Sequence, residues 1–387
     1  MNSRHKIFRA IISLLLCVIS LFGLCSCSTA GARNVTDIHF TATGDNLIHD
    51  RLYKQANERA GGGKNYDFDY CYESVSPFYK KQDLNWINQE SLANTKIPAH
   101  SYPTFSTPGQ AVQSLYKLMN ERIFSVSNNH TYDQGAEGLQ ATQDFYNKEM
   151  PKDILYSGIW KKNDLSYIPI YTCKDQRIAI LSYTYYTNGI KTPKDSPYRV
   201  IYTSETNVIK KQIALAKQQA DIVIVGCHWG TENSHKINTE QVTLAKNLAD
   251  WGADLIIGTH PHVVQNAGWV TGPKSGRRVF CAYSLGNFIS TQSQADQVVG
   301  MVLSCTLRVQ ESHGEKTVTV LNPKFYPTVT QYGSNASNDH VVWFSDYTDE
   351  MANQHGIHLR GDTFTRSSIR KILTDNVNAK YLVLPKA

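Results

Sequence analysis

The chain has 387 residues with 41% hydrophobic and 11% aromatic side chains, 24 Gly and 13 Pro, a folded globular composition that excludes collagen-like, coiled-coil and disordered classes. Its 39 Lys and Arg against 33 Asp and Glu give +6. Arg4, Lys6 and Arg9 stand before any acid, so the rest carries only about +3, too mild a field for a nucleic-acid partner.

The first 26 residues have the order of a secretory signal: the three basic residues, an apolar run over 11–24, then small residues. Fourteen apolar residues fall short of the roughly 20 that span a bilayer as a helix, which weighs against a permanent membrane anchor. Leu24-Cys25-Ser26-Cys27 resembles a bacterial lipobox, with cleavage before Cys27 and lipid on that cysteine; ordinary cleavage nearby is the other reading. The expected location is the extracytoplasmic face of the cell membrane. Residues 28–36 are small and polar and read as a tether. Beyond Cys27, Cys71, Cys173, Cys227, Cys281 and Cys305 are widely spaced and odd in number, so neither a disulfide framework nor a Cys metal cluster is expected.

From residue 37 the pattern predicts strands over 38–43, 84–87, 122–127, 177–185, 221–225, 255–258 and 279–283. Helices are predicted over 110–120, 138–148, 205–219 and 240–251. Strands separated by helices imply an α/β fold with a mostly parallel sheet covered on both faces. After residue 300 the runs 301–309 and 316–321 read as a hairpin about His313-Gly314-Glu315, expected to start a second, antiparallel sheet. Residues 340–387 are weakly patterned apart from a helix near 367–376.

In open α/β sheets ligands bind beyond the carboxyl ends of the strands. Here those ends run into Thr43-Gly44-Asp45-Asn46, Asn88-Gln89-Glu90, Ser127-Asn128-Asn129-His130, His228-Trp229-Gly230, Thr259-His260-Pro261-His262 and Ser284-Leu285-Gly286-Asn287. Asp, Glu, Asn and four His form the oxygen and imidazole set that binds Zn, Mn or Fe. Taken singly, Gly-Asp suits a turn, Asn-Asn-His a helix cap, and a lone His a structural role. Six such ends together point to a metal site. Gly61-Gly62-Gly63-Lys64-Asn65 lacks the first Gly and the hydroxyl residue of a P-loop, and Ser284 is not in a Gly-x-Ser-x-Gly elbow.

These motifs, in this order from about Asp37 to Thr291 and with Asp133-Gln134-Gly135 after His130, resemble the CapA family of poly-γ-glutamate capsule biosynthesis proteins. The domain of that family is similar to the calcineurin-like metallophosphatases. The resemblance implies a two-sheet αββα sandwich over 37–331, with 332–387 an extension of no assigned role. It implies metal ligands Asp45, Glu90, Asn129, His228, His260 and His262 for one or two divalent ions, with Glu90 as the bridge. His130 would sit beside the leaving group as catalytic acid or electrostatic partner, with Asn128 and Asn287 as further candidates near the site. Where metallophosphatases carry Asp-x-His, this chain has Leu47, which removes a ligand from one of the two positions.

Three functions follow as expectations. The first is a lipid-anchored, metal-dependent hydrolase or transferase acting on an envelope polyanion such as poly-γ-glutamate. The second is an accessory subunit that binds the polymer or a membrane-bound synthase, and the third a general phosphoesterase. Fold alone separates none of them.

Overall fold

The structure is a computed structural model that describes residues 34–361 and 363–385. The predicted signal, Cys27 and most of the tether lie outside the described residues. Asn34, Val35 and Thr36, read above as the end of that tether, are strand: they pair with Glu311, Gln310 and Val309.

All but a few two-residue strands fall into two sheets. The first opens with β1 (Asn34–Asn46), β2 (Leu84–Gln89), β3 (Ile123–Ser125) and β4 (Leu155–Ser157), paired in parallel in that order. The chain then builds the second from β5 (Ile170–Cys173), β6 (Gln176–Thr184), β7 (Ile222–His228), β8 (Leu255–Thr259), β9 (Ala267–Thr271) and β10 (Arg278–Ala282). Their spatial order is β9-β10-β8-β7-β6-β5, with β6, β7, β8 and β10 parallel. It returns to the first sheet through β11 (Asn287–Ile289), β12 (Val299–Ser312), β13 (Glu315–Gln331) and β14 (His340–Trp343).

The alternation of strands and helices is therefore dealt into two large sheets, as the family resemblance implied, and not into the single sheet that the pattern alone suggested. The cause lies between β4 and β5. Parallel neighbours in one sheet need a crossover, usually a helix, packed on its face, and residues 158–169 contain no helix. The chain passes instead to the opposing layer. The β12–β13 hairpin corrects the other expectation: β12 pairs antiparallel with β1 along Asn34–Ala42, so the hairpin extends the first sheet and covers an edge of β1.

Strand period sets the layers. Ile38, Phe40 and Ala42 of β1 meet Ile178, Ile180, Ile222, Ile224, Leu255 and Ile257 in the core between the sheets. On the outer face of the first sheet, Ile87 and Phe124 pack against α1 (Asp50–Arg59) and α2 (Gly109–Met119). A third helix, α3 (Gly135–Asp144), follows the β3 turn. On the outer face of the second sheet, Ala179, Leu181, Val223, Val225 and Ile256 pack against α4 (Thr206–Gln219) and α5 (Thr239–Trp251). The α5 helix starts at a capping box between Asn238 and Gln241 and stops at Gly252, whose φ of 117° few other residues adopt. The result is an αββα sandwich.

Residues after 331 belong to the same core. β14 pairs with β13, and Tyr332, Phe344, Tyr347, Ile357 and Phe364 join the cluster between the sheets together with Ile369 and Leu373 of α6 (Arg366–Asn376). Asp339, whose side chain is 0% exposed, takes a bidentate pair from Arg51 of α1.

Candidate metal centre

All the polar strand ends meet at one edge of the sandwich. β1 arrives there through a bulge: Thr43 pairs with Ile87 and Asp45 with Asn88, so Gly44 is the extra residue, and its insertion aims the Asp45 carboxylate. Only glycine fits, because a Cβ at 44 would lie 2.0 Å from the Gly286 carbonyl oxygen, which itself accepts the Asp45 N–H at 3.0 Å. Gly258 serves β8 in the same way, since a Cβ there would lie 2.0 Å from the Tyr283 oxygen. Beyond it, His260 and His262 hold φ of 98° and 61° on either side of Pro261, a backbone that costs free energy and is kept where the surroundings over-determine it.

The donors form two overlapping groups. Oxygens and ring nitrogens of Asp45, Glu90 and His228 lie within 4.8 Å of one another, and so do those of Glu90, His260 and His262, so Glu90 is common to both. Every one of these residues is buried. Asp45 accepts the Asn88 amide at 2.7 Å with one oxygen, and its other lies 3.3 Å from the His262 Nδ1. Among the described residues the two Glu90 oxygens have no hydrogen-bond partner, the nearest ring nitrogens being 3.5 Å (His262) and 3.7 Å (His228) away.

Burial and the Asp45 charge push the Glu90 carboxyl well above its usual range. Burial likewise drives the His228 imidazole far down and the His260 imidazole to about 3, so both are neutral with lone pairs available. Burial also pulls on His262, but the hydrogen bond and charge of Asp45 outweigh it and raise that group. Two buried carboxyl groups crowded together beside the neutral imidazoles of His228 and His260 are a poor arrangement for protein alone and suit a divalent cation.

The Asn129 Oδ1 lies 2.8 Å from the His228 Nε2 and joins the cluster. His130, next in sequence, has its Nδ1 2.7 Å from Asp133, which also accepts the Phe105 N–H. With Nδ1–H donated to Asp133, the Nε2 is left for the cleft. Asn128 does not reach the cluster; it accepts the His130 N–H and donates to the Gln89 carbonyl, which shapes the turn. Asn287 orients a candidate ligand: it accepts from the His262 Nδ1 at 3.0 Å, turning Nε2 toward Glu90.

Leu47 is core, 2% exposed, with its N–H on the Ile289 carbonyl. Two residues on, His49 lies edge-on to Phe105, which in turn lies edge-on to His130, and burial lowers the His49 imidazole to about 4. Sequence reasoning passed over His49, over Asn88 as a partner of Asp45, and over Asn188, which touches Asn129 and His130 from the loop after β6. Asn88 was legible as the polar residue before Gln89-Glu90, and Asn188-Gly189 is a turn signal; neither shows in sequence what it faces.

Fold and site together define an α/β two-sheet sandwich with a buried carboxylate–imidazole centre at its strand ends. The family model described as bacterial capsule synthesis protein PGA_cap matches residues 39–292, and the chain belongs to that family, as its motifs implied. It is similar to the capsule biosynthesis protein CapA of Bacillus anthracis, 32% identical over 237 residues that cover 59% of this chain and 55% of that one. It is also similar to the PGA biosynthesis protein CapA of Bacillus subtilis (strain 168), 28% identical over 250 residues, 64% and 62% of the two chains. The matches thus span somewhat more than half of each relative. Among solved structures it is similar to a putative 5′-nucleotidase from Staphylococcus aureus in complex with alpha-ketoglutarate (12% identity, TM-score 0.44, 88% of this chain, 58% of that chain). The 5′-nucleotidase from Candida albicans SC5314 is a second (12%, 0.38, 87% and 57%). At those scores the likeness is loose, and the fold rests on the strand topology itself.

Proposed function

We propose that this chain is a CapA-like protein of capsule synthesis or processing, and a metal-dependent hydrolase or transferase acting on an envelope polymer such as poly-γ-glutamate. In this reading it is held at the extracytoplasmic face by lipid on Cys27, beside membrane-bound synthase subunits, and uses one or two Mn, Zn or Fe ions. The observation that carries it is Glu90: a fully buried carboxyl group with no hydrogen-bond partner among the described residues, shared by two groups of candidate ligands. Asp45, Asn129, His228, His260 and His262 would complete the shells. A divalent ion held by these residues would supply Lewis acidity, to polarise an acyl or phosphoryl oxygen and to make water nucleophilic near neutral pH. His130, its tautomer set by Asp133, offers Nε2 to protonate the leaving group.

Metal content of the full chain in detergent, measured by mass spectrometry beside His260→Ala, tests the reading. One or two equivalents of transition metal are expected in the parent and none in the variant. No metal in either, even after reconstitution with Mn or Zn, overturns it. His130→Ala is expected to keep its metal and lose about 10²–10⁴-fold in turnover of poly-γ-glutamate; unchanged turnover would remove His130 from the mechanism.

A further inference from the structure

The loop after β6 brings a residue of the second sheet onto ligands carried by the first. Thr187 to Ile190 is a tight turn closed by the Ile190 N–H on the Thr187 carbonyl at 2.8 Å, with φ of 49° at Asn188 and 75° at Gly189. Two successive positive φ values are those of a type I′ turn, for which Asn-Gly is the favoured pair. Thr187, buried, ties the turn down through its hydroxyl, 2.7 Å from the Ile190 carbonyl and 2.9 Å from the Tyr202 hydroxyl.

Turn chemistry explains why an Asn or Gly stands at 188, but not where its carboxamide goes. The Asn188 Oδ1 accepts from the Asn129 Nδ2 at 3.1 Å, while the Asn129 Oδ1 faces the His228 Nε2 at 2.8 Å. An amide has one acceptor end and one donor end. Turned over, Asn129 would set its oxygen against the Asn188 oxygen and present N–H groups, which bind no cation, to the cluster. The acceptor on the turn therefore decides which atom of Asn129 the centre sees. Beside it, the Tyr186 ring lies edge-on to His260 at 5.9 Å, so the same short loop borders the cluster at two points.

We propose that Asn188 is a positioning residue of the metal centre, holding the Asn129 carboxamide with its oxygen toward the ion from a turn on the opposite sheet. This rests on the metal-binding reading above. Partners that orient a ligand are typically worth 10–100-fold in metal affinity.

The test is a Mn²⁺ titration of the full chain in detergent, comparing the parent with Asn188→Gly and Asn188→Asp. Glycine adopts φ of 49° freely and keeps the turn while deleting the carboxamide; aspartate tolerates that conformation and keeps an acceptor oxygen. Expected are a 10–100-fold weaker Kd for Asn188→Gly, a Kd within about threefold of the parent for Asn188→Asp, and metal-free thermal unfolding common to all three. Parent-like binding by Asn188→Gly overturns the assignment, and so does equal weakening in both variants, which would make the turn and not its acceptor responsible. Failure of the parent itself to bind Mn²⁺, Zn²⁺ or Fe²⁺ instead overturns the metal reading, and the assignment with it.

Discussion

Replacing Gly44 with alanine tests whether the close approach of β1 to the Gly286 turn is what aims Asp45. The new Cβ would stand 2.0 Å from the Gly286 oxygen, 3.1 Å from its carbonyl carbon and 3.3 Å from the Leu285 carbonyl carbon. All three are backbone atoms, so no rotamer change relieves the clash, and the two segments must part by roughly 1.4 Å to reach ordinary contact in an interior that is already close-packed. The separation breaks the bond from the Asp45 N–H to Gly286, worth about 0.5–1.5 kcal/mol, and strains the packing by about 1–3 kcal/mol, for a combined loss of about 2–4 kcal/mol. Asp45 moves with its strand. A shift of that size exceeds the roughly 0.5 Å within which a site must be held, so metal affinity should fall at least about tenfold. Urea denaturation in EDTA reads the first effect and a Mn²⁺ titration the second. Gly268→Ala is the control, since a Cβ there meets nothing within 4 Å. Gly44→Ala stability within about 0.5 kcal/mol of the parent, with unchanged metal affinity, would refute the reasoning.

Two further perturbations bear on the C-terminal segment. Arg51→Met leaves the wholly buried Asp339 carboxylate with the Gln55 amide at 2.7 Å as its remaining side-chain partner, a loss expected to cost about 3–5 kcal/mol in thermal or urea unfolding; a change below about 1 kcal/mol would show that this pair does not clamp the segment to α1. The buried His355 ring accepts the Ile357 N–H on Nδ1 and lies 2.9 Å from the Thr330 carbonyl through Nε2, and burial lowers it to about 4. The native ring is then neutral while the unfolded ring titrates near 6.5, so the stability it contributes is present above pH 6.5 and is lost as the pH falls toward 4. That linkage amounts to about 3 kcal/mol across the window. Stability curves measured from pH 7 to 4 should therefore converge for the parent and His355→Gln, and parallel curves would show that the ring does not stay neutral.

Much of the candidate site could be read from the chain because each candidate ligand sits where an apolar run stops. Ile-Val-Ile-Val-Gly-Cys reads as a strand buried on both faces, and every residue of β7 is buried. The histidine that closes it lands at the sheet edge where such strands present their ends. His260 and His262 were equally legible as a pair flanking a proline at a strand end. Asn128 shows the limit of that reading. It has the same residue type and the same strand end as Asn129, yet its carboxamide is taken up by the backbone of its own turn and by Gln89. Which of two adjacent amides turns inward depends on contacts made across the fold.

By itself, the sequence determined most of the core strands and helices and their order, the family and the chemical character of the centre, because hydrophobic period and strand-end residues are local and survive in any tertiary arrangement of the same strands. The α1 helix and the shorter strands β4, β5, β9 and β14 escape that reading. Tertiary structure alone decided which strands go to each of the two sheets, that the β12–β13 hairpin edges the first of them, and that residues past 331 complete the core. It alone brought Glu90 between two sets of imidazoles and Asn188 against Asn129. These are contacts between residues dozens to hundreds of positions apart. They depend on where a helix-free connection sends the chain and on how closely two backbones approach at Gly44 and Gly258, and no local pattern encodes either.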